Sequence, residues 1–273
     1  MPDPQKRSLI LLSNDDGHMS RGIRAMRDAL AEHADVVIVA PETEQSATSH
    51  SLSLHRPLRL RSVERGEGGR ENGAGAVFAI DGTPADCVYV ALHAGDRMLT
   101  RRPDLVVSGI NHGMNLGQDV FYSGTVAAAR EGALRGIPAI ATSAHTGIDL
   151  TVAARLCANL AMHLLKVGPH AHAPLLSVNL PKNWTGEVRA TRLGARIYEE
   201  VVDFRKDPRG REYLWLGGPG VRHEKNESTL GTDTDAYDEG VASITPLILD
   251  MTFNSDTPLA FSLATAASLK GAP

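Results

Sequence analysis

Short runs of Leu, Val, Ile and Ala alternate, through the first two-thirds of the chain, with longer stretches whose apolar residues recur every three or four positions. The short runs predict strands at Leu9 to Leu12, Val36 to Val39, Val77 to Ile80, Leu105 to Val107, Ala139 to Ala141 and Leu175 to Val178. Their near-continuous apolar character is that of strands covered on both faces. The longer stretches, Arg21 to Glu32, Pro84 to His93, Val126 to Arg135 and Leu150 to Lys166, carry the spacing of amphipathic helices. Strand and helix in alternation predict an α/β fold, a doubly wound and mostly parallel sheet over residues 1–182.

The pattern breaks twice. Residues 62–76, "SVERGEGGRENGAGA", hold five glycines and five charges with almost nothing to bury, which predicts a mobile surface loop and not a phosphate cradle. From about Trp184 the chain turns into strand-like pieces joined by Pro and Gly turns, with no helix predicted between them, so residues 183–250 are expected to form a β-hairpin extension. "DPRG", with Asp207 first and Pro208 second, is its clearest turn. Such a hairpin exposes Tyr213, Leu214 and Trp215 unless a second subunit covers them. Residues 251–273, with "LAFSLATAASL", predict a closing helix. The expectation is at least a dimer, with contacts from residues 196–220 and 256–270.

At 273 residues the chain can bury a core that needs no disulfide or structural metal. Its 28 Lys and Arg against 32 Asp and Glu leave a net charge of −4, with no general field to attract nucleic acid or an acidic membrane. Any anionic ligand must be captured locally. Cys87 and Cys157 each fall within a helical apolar pattern and are expected as buried free thiols, which favours a reducing compartment. "MPDPQKRS" runs directly into the first strand without a signal-peptide core, and no apolar run approaches a membrane span. These features predict a cytoplasmic protein.

In an open α/β sheet, ligands bind at the carboxyl ends of the strands where the strand order reverses. Three strands deliver small oxygen-bearing side chains there: Asn14, Asp15 and Asp16 after the first; Ser46, Thr48 and Ser49 after the second; Asn111, Asn115 and Asp119 after the fourth. Two adjacent carboxylates with no lysine near in sequence call for a cation. Carboxylate, amide and hydroxyl oxygens, without Cys or a spaced His pair, suit Mg²⁺ or Mn²⁺ better than zinc. The loop after Gly109 adds an anion site. Gly113 and Gly117, with interleaved asparagines, keep backbone amides accessible, and "YSGT" places Ser123, Gly124 and Thr125 at the start of a helix, Ser123 and Thr125 being natural N-cap residues. A cation beside an anion site is a phosphoryl-transfer arrangement, in which an aspartate orients or activates water. Asn14, Asn111, Gly113, Asn115, Ser123, Gly124 and Thr125 are the expected phosphate-binding positions, and Asp15 and Asp16 the expected catalytic pair.

His18, His50, His112 and His223 lie near these loops, but structural roles are expected for each. There is no G-x-x-x-x-G-K-[ST] loop and no G-x-S-x-G elbow. The adjacency of Asp15 and Asp16 argues against the D-x-D phosphatases that form an aspartyl-phosphate.

The motifs "LLSNDDG", "QSATSHSLSL", "DGTPADCVYVAL", "PDLVVSGINHGMNLGQDVFYSGTVAAAREG", "GIPAIATS", "VNLP", "DPRG" and "GTDTDAYDEGVASITPL" follow one another along almost the whole chain. Together they resemble the SurE survival-protein family of nucleotidases. The resemblance implies a Rossmann-like domain with a projecting hairpin and a C-terminal segment exchanged between subunits, assembled as a homodimer or homotetramer. It implies a metal-dependent phosphatase of nucleoside 5′- and 3′-monophosphates, acting by direct attack of a metal-associated water, with some members also trimming polyphosphate ends. It implies one Mg²⁺ or Mn²⁺ per subunit on Asp15, Asp16, Ser46 and Asn111. Neither a nucleic acid duplex nor a membrane is an expected partner. A nucleotide-binding sensor without turnover is the alternative reading, since the same groups would hold a phosphate. One stretch departs from the family, which places Ala-Pro before Gly-Ile: here "HMSRGI" puts Ser20 and Arg21 before Gly22, and His18 and Arg21 become further candidates to touch substrate.

Overall fold

The computed structural model describes residues 7–69, 72–167, 174–199, 201–217, 221–225, 231–252 and 257–266. Six parallel strands form its centre: β1 (Leu9–Ser13), β2 (Asp35–Pro41), β4 (Val77–Ile80), β5 (Leu105–His112), β6 (Ala139–Ala144) and β7 (Leu175–Leu180). Alternate side chains of each strand face opposite ways. Ile10 and Leu12 pack beneath α1 (Arg21–Ala31) and α5 (Leu150–Val167), while Leu9 and Leu11 pack beneath α2 (Pro84–His93) and α4 (Gly124–Leu134), which follows the single turn α3 (Asp119–Tyr122). Two separate apolar layers result. Cys87 and Cys157, both free and buried, lie one in each.

The strand order is β3-β4-β2-β1-β5-β6-β7-β13-β8, where β3 (Leu60–Glu64), β8 (Val188–Ala190) and β13 (Ala242–Leu247) widen the parallel centre. The order reverses between β1 and β5, so the crevice above their carboxyl ends is the ligand-binding position of this architecture. Two glycines bring the layers close there. A side chain at Gly22 would lie 2.0 Å from the Ile110 carbonyl, so α1 rests directly on the end of β5. One at Gly124 would lie 2.9 Å from Asp15 Cβ, so α4 starts against the end of β1.

Several expectations need revision. β5 continues through Ser108 to His112, because its register with β6 shifts between Ser108 and Asn111 and the strand resumes beyond the irregularity. The glycine-rich stretch begins inside an edge strand, with β3 pairing antiparallel to β4 through Glu64; Arg70 and Glu71 lie outside the described residues. After Trp184 the chain contains a helix, α6 (Asp233–Asp238), started by a capping box between Thr232 and Asp235. The ends of the expected extension also return to the main sheet, β13 antiparallel to β7 and β8 parallel to β13. The part outside that sheet is two antiparallel pairs, β9 (Ala195–Tyr198) with β12 (Val221–Glu224) and β10 (Val201–Lys206) with β11 (Glu212–Gly217). The second pair closes on the "DPRG" turn, where Gly210 N–H donates to the Asp207 carbonyl at 2.9 Å. Tyr213, Leu214 and Trp215 are exposed, as expected. The tail helix, α7 (Thr257–Ala266), exposes Phe261 and Leu263. By length and composition α5 could cross a membrane, contrary to expectation; here Ala153, Ala154, Cys157, Ala158 and Ala161 are buried against the sheet and α1.

Candidate active site

The carboxyl ends of β1, β2 and β5 open into a cleft of about 770 Å³. Its opposite wall comes from β9 to β11, through Tyr198, Glu199, Val202, Leu216 and Gly217. Five carboxylates line it, Asp15, Asp16, Glu44, Asp119 and Glu199, and among the described residues no Lys or Arg does.

Asp15 is almost fully buried. The Thr125 hydroxyl donates to its Oδ1, and the Thr125 backbone N–H bonds to the same carboxylate. Burial nevertheless dominates and, with the charge of Asp16 added, pushes the Asp15 carboxyl up to about 6. Asp16 is also raised by burial, against a hydrogen bond from His112 N–H to its Oδ2 at 3.1 Å. The negative charge of Glu44 raises it further.

Each expected metal ligand is fixed by hydrogen bonds, and an oxygen lone pair of each lies outside the described side-chain contacts. Thr125 holds Asp15 Oδ1, leaving Oδ2; His112 holds Asp16 Oδ2, leaving Oδ1. Ser46 Oγ donates to Glu44 Oε1 at 2.6 Å, leaving its lone pairs. Asn111 Nδ2 donates to the Gly113 carbonyl at 3.0 Å, leaving Oδ1. Among the described residues no three His, Cys, Asp or Glu side chains cluster as ligands. Two carboxylates completed by neutral hydroxyl and amide oxygens, around a buried carboxyl with no cation beside it, fit a hard divalent ion.

The loop carrying Ser46 is tied down at many points. Gln45 N–H donates to the Asp15 carbonyl at 2.8 Å and Ser49 Oγ to the Phe121 carbonyl at 2.6 Å. His50 Nε2 pairs with buried Glu131 of α4 at 2.9 Å, and Ser53 N–H donates to Asp86 of α2 at 2.9 Å. The Thr48 hydroxyl donates within the loop, to the Gln45 carbonyl, and the Thr48 carbonyl accepts from Ser51 Oγ.

Asp15, Asp16, Ser46, Asn111, Gly113, Asn115 and Ser123 therefore share the cleft, together with Asp119. Asn14, Gly124 and Thr125 do not line it. Asn14 is fully buried, and its amide nitrogen holds the Gly17 carbonyl and Ser20 Oγ. Thr125 lies inside α4, whose N-cap is Ser123 alone, with Val126 N–H donating to Ser123 Oγ at 3.1 Å. The anion at this helix start is the Asp15 carboxylate itself. Nor are the loop amides free. Gly113 N–H donates to the Ala144 carbonyl, Asn115 N–H to Asn179 Oδ1 and Gly117 N–H to Asp233 Oδ2. The loop is a rigid scaffold and not an open nest.

His18, His50 and His223 have structural partners in the Pro41 carbonyl, Glu131 and Asp238. Neither His18 nor Arg21 lines the cleft, whereas His112 does. Glu44, Met114, Tyr122, Tyr198, Glu199, Val202 and Leu216 were not expected there. Glu44 stands two residues before Ser46 and could have been found. The hairpin residues could not, since only the tertiary fold carries β9 to β11 across the sheet edge.

The sequence model of the family described as "Survival protein SurE" matches residues 10–200. The chain is 60% identical over 248 residues to a protein of Sorangium cellulosum named 5′-nucleotidase SurE, covering 90% of this chain and 91% of that one. It is 45% identical over 260 residues to a Vibrio vulnificus protein of the same name, covering 92% and 94%. The crystal structure of the SurE protein from Aquifex aeolicus aligns with a TM-score of 0.75 at 36% identity, over 93% of this chain and 99% of that one. A family match across most of the chain, near-complete coverage of these relatives and the same fold leave one assignment: the chain belongs to the SurE survival-protein family.

Proposed function

We propose that the chain is a divalent-cation-dependent phosphatase of nucleoside monophosphates. The observation that carries this reading is the charge of the cleft. Of the five carboxylates lining the cleft, Asp119 is paired with Arg196. The other four, Asp15, Asp16, Glu44 and Glu199, have no Lys or Arg beside them in the described lining and would repel a phosphate dianion, so a phosphate enters only beside a cation. The 5′-nucleotidase name of the Sorangium and Vibrio relatives supports the substrate class.

Asp15, Asp16, Ser46 and Asn111 would hold Mg²⁺ or Mn²⁺ through the oxygen lone pairs outside the described side-chain contacts. When bound, such an ion neutralises phosphate oxygens and lowers the pKa of water. The chain's own residues do the rest. Ser123 Oγ accepts from Val126 N–H, so its own proton is left to donate to a phosphate oxygen in the cleft. The Asp15 carboxylate, oriented by Thr125, would take the proton of the attacking water. Tyr122 and Tyr198, on the cleft wall, offer ring surface to a nucleoside. We extend the reading to 3′- as well as 5′-monophosphates and to the ends of polyphosphate, and to assembly as a homodimer or homotetramer through the exposed β10–β11 face and α7, in the cytoplasm. Phosphate release from AMP with added Mn²⁺, against an EDTA control, tests the activity. Tight nucleotide binding without release would instead favour the sensor reading.

A further inference from the structure

The cleft has a neighbour. Behind Asp16, Glu44 and His112, which line both spaces, a second chamber of about 290 Å³ lies between the start of α1 and the loop after β6. The chemistry proposed above makes no use of it. It is lined by both residues that depart from the family pattern, Ser20 and Arg21.

The hydrogen bonds at this wall leave it rich in donors. Ser20 Oγ accepts from Asn14 Nδ2 at 2.8 Å and from Ile23 N–H at 3.4 Å, so its own proton remains to be given elsewhere. His145 Nδ1 accepts from Gly147 N–H at 3.0 Å, which places the proton of the neutral ring on Nε2 as a second donor. Arg21 makes no ion pair with any described carboxylate and brings a full positive charge. It also lines the mouth of an adjoining groove of about 420 Å³ between α1 and α5, with Arg24 and Arg155. Neither of those pairs with a described carboxylate, and the acids of that groove, Asp28 and Glu32, face Arg27 and His33. Arg21 is exposed, and its guanidinium offers a charge-assisted contact that a phosphate, and not a neutral ring, would use together with Ser20 and His145.

We propose that the chamber behind Asp16 is a second-phosphate subsite in which Arg21, Ser20 and His145 receive a phosphate monoester while the first is hydrolysed in the cleft. The inference rests on the phosphatase reading for the first site, and only the wall of Asp16, Glu44 and His112 stands between the two spaces. Asp16 and Glu44 both repel a phosphate in the chamber, and that repulsion falls when the first site holds its cation. The same chemistry has two sources, a nucleotide bearing two phosphates or free orthophosphate, and both are tested.

The experiment compares wild type, Arg21→Ala and Arg21→Lys with Mn²⁺ present, using 5′-AMP and adenosine 3′,5′-bisphosphate as substrates and orthophosphate as inhibitor. Wild type should favour the bisphosphate in kcat/KM. The ratio of the two substrates should fall roughly tenfold or more in Arg21→Ala, the loss expected for a charge-assisted contact, and recover in part in Arg21→Lys. Inhibition of AMP turnover by orthophosphate that is non-competitive and weakened in Arg21→Ala, with no bisphosphate preference, would support the subsite with free phosphate as its ligand. An unchanged substrate ratio and unchanged phosphate inhibition in Arg21→Ala overturn the proposal. If wild type hydrolyses neither nucleotide, the phosphatase reading fails separately. Calorimetry of orthophosphate binding to wild type and Arg21→Ala then decides the subsite alone, and equal affinities overturn it.

Discussion

Asp15 should be a liability to the metal-free fold, and its amide variant should expose that cost as a function of pH. Burial raises the folded-state carboxyl from the ordinary 3.8 to about 6. Between those values the folded protein keeps a proton that the unfolded chain has lost, so stability falls as pH rises through the window. At about 1.4 kcal/mol for each factor of ten in the proton equilibrium, the full cost at pH 7 is about 3 kcal/mol. Asp15→Asn keeps the shape and the oxygen that accepts from Thr125, and carries no charge to bury. Urea unfolding in EDTA, at intervals from pH 4 to pH 7, should show the two proteins similar at the acid end. The variant should become the more stable by up to about 3 kcal/mol at the neutral end. Added Mn²⁺ should then reverse the order, because an ion at about 1,000 times its Kd stabilises wild type by about 4.1 kcal/mol, more than the burial cost, and the variant has lost a ligand charge. A difference between the proteins that stays flat from pH 4 to pH 7 in EDTA would refute the burial argument. A difference unaffected by Mn²⁺ would refute the ligand assignment.

Gly124→Ala adds a methyl group 2.9 Å from Asp15 Cβ, so it should weaken Mn²⁺ binding as well as turnover, although alanine is the better helix former; metal titration beside AMP hydrolysis checks this. A phosphate-facing Gly124 would instead leave metal binding intact. Burial pushes the Glu131 carboxyl up, but hydrogen bonds from His50 and Arg135 outweigh it and hold the group below its ordinary range. Glu131→Gln should therefore cost about 1–3 kcal/mol at pH 7, with the gap to wild type closing as acid protonates Glu131, measured by urea unfolding. Light scattering at micromolar concentration should give at least the mass of a dimer, and Trp215→Asp on the exposed face of β11 should lower it; a monomeric wild type would remove the assembly proposal.

The central strands were legible because burial on both faces writes an uninterrupted apolar run, and α1, α2 and α5 because their apolar stripes are long. The continuation of β5 to His112 was not, since Gly109, Asn111 and His112 lack strand character and are held by pairing with β6. α6 does carry a local sign, since Thr232 followed three residues later by Asp235 is a capping box, although the helix behind it is short. β8 and β13 could not be placed from local pattern, because what makes them sheet strands is each other and β7. In the site, residue types and loop positions brought Asp15, Asp16, Ser46 and Asn111 into the candidate group. The division of labour among Asn14, Gly124 and Thr125 was hidden. Thr125 meets Asp15 across 110 positions, and no local signal distinguishes a hydroxyl that caps its own helix from one that donates to another strand.

That contact also explains how two adjacent carboxylates coexist at one strand end. Successive residues leaving a strand point to opposite sides, so Asp15 turns toward the start of α4 while Asp16 turns toward the end of β5. Each gives one oxygen to a different element, the Thr125 hydroxyl in one case and the His112 amide in the other, and the divergence limits their mutual repulsion. The helix start and the hydroxyl offset part of the burial of Asp15 but not all of it, which is why its carboxyl remains raised. The residual imbalance is what the proposed cation would relieve. If Thr125 supplied enough positive potential to hold Asp15 at an ordinary value, an added ion would find less uncompensated charge. Gly124 completes the arrangement by letting α4 approach closely enough for that partial compensation, with no side chain between Asp15 and the helix.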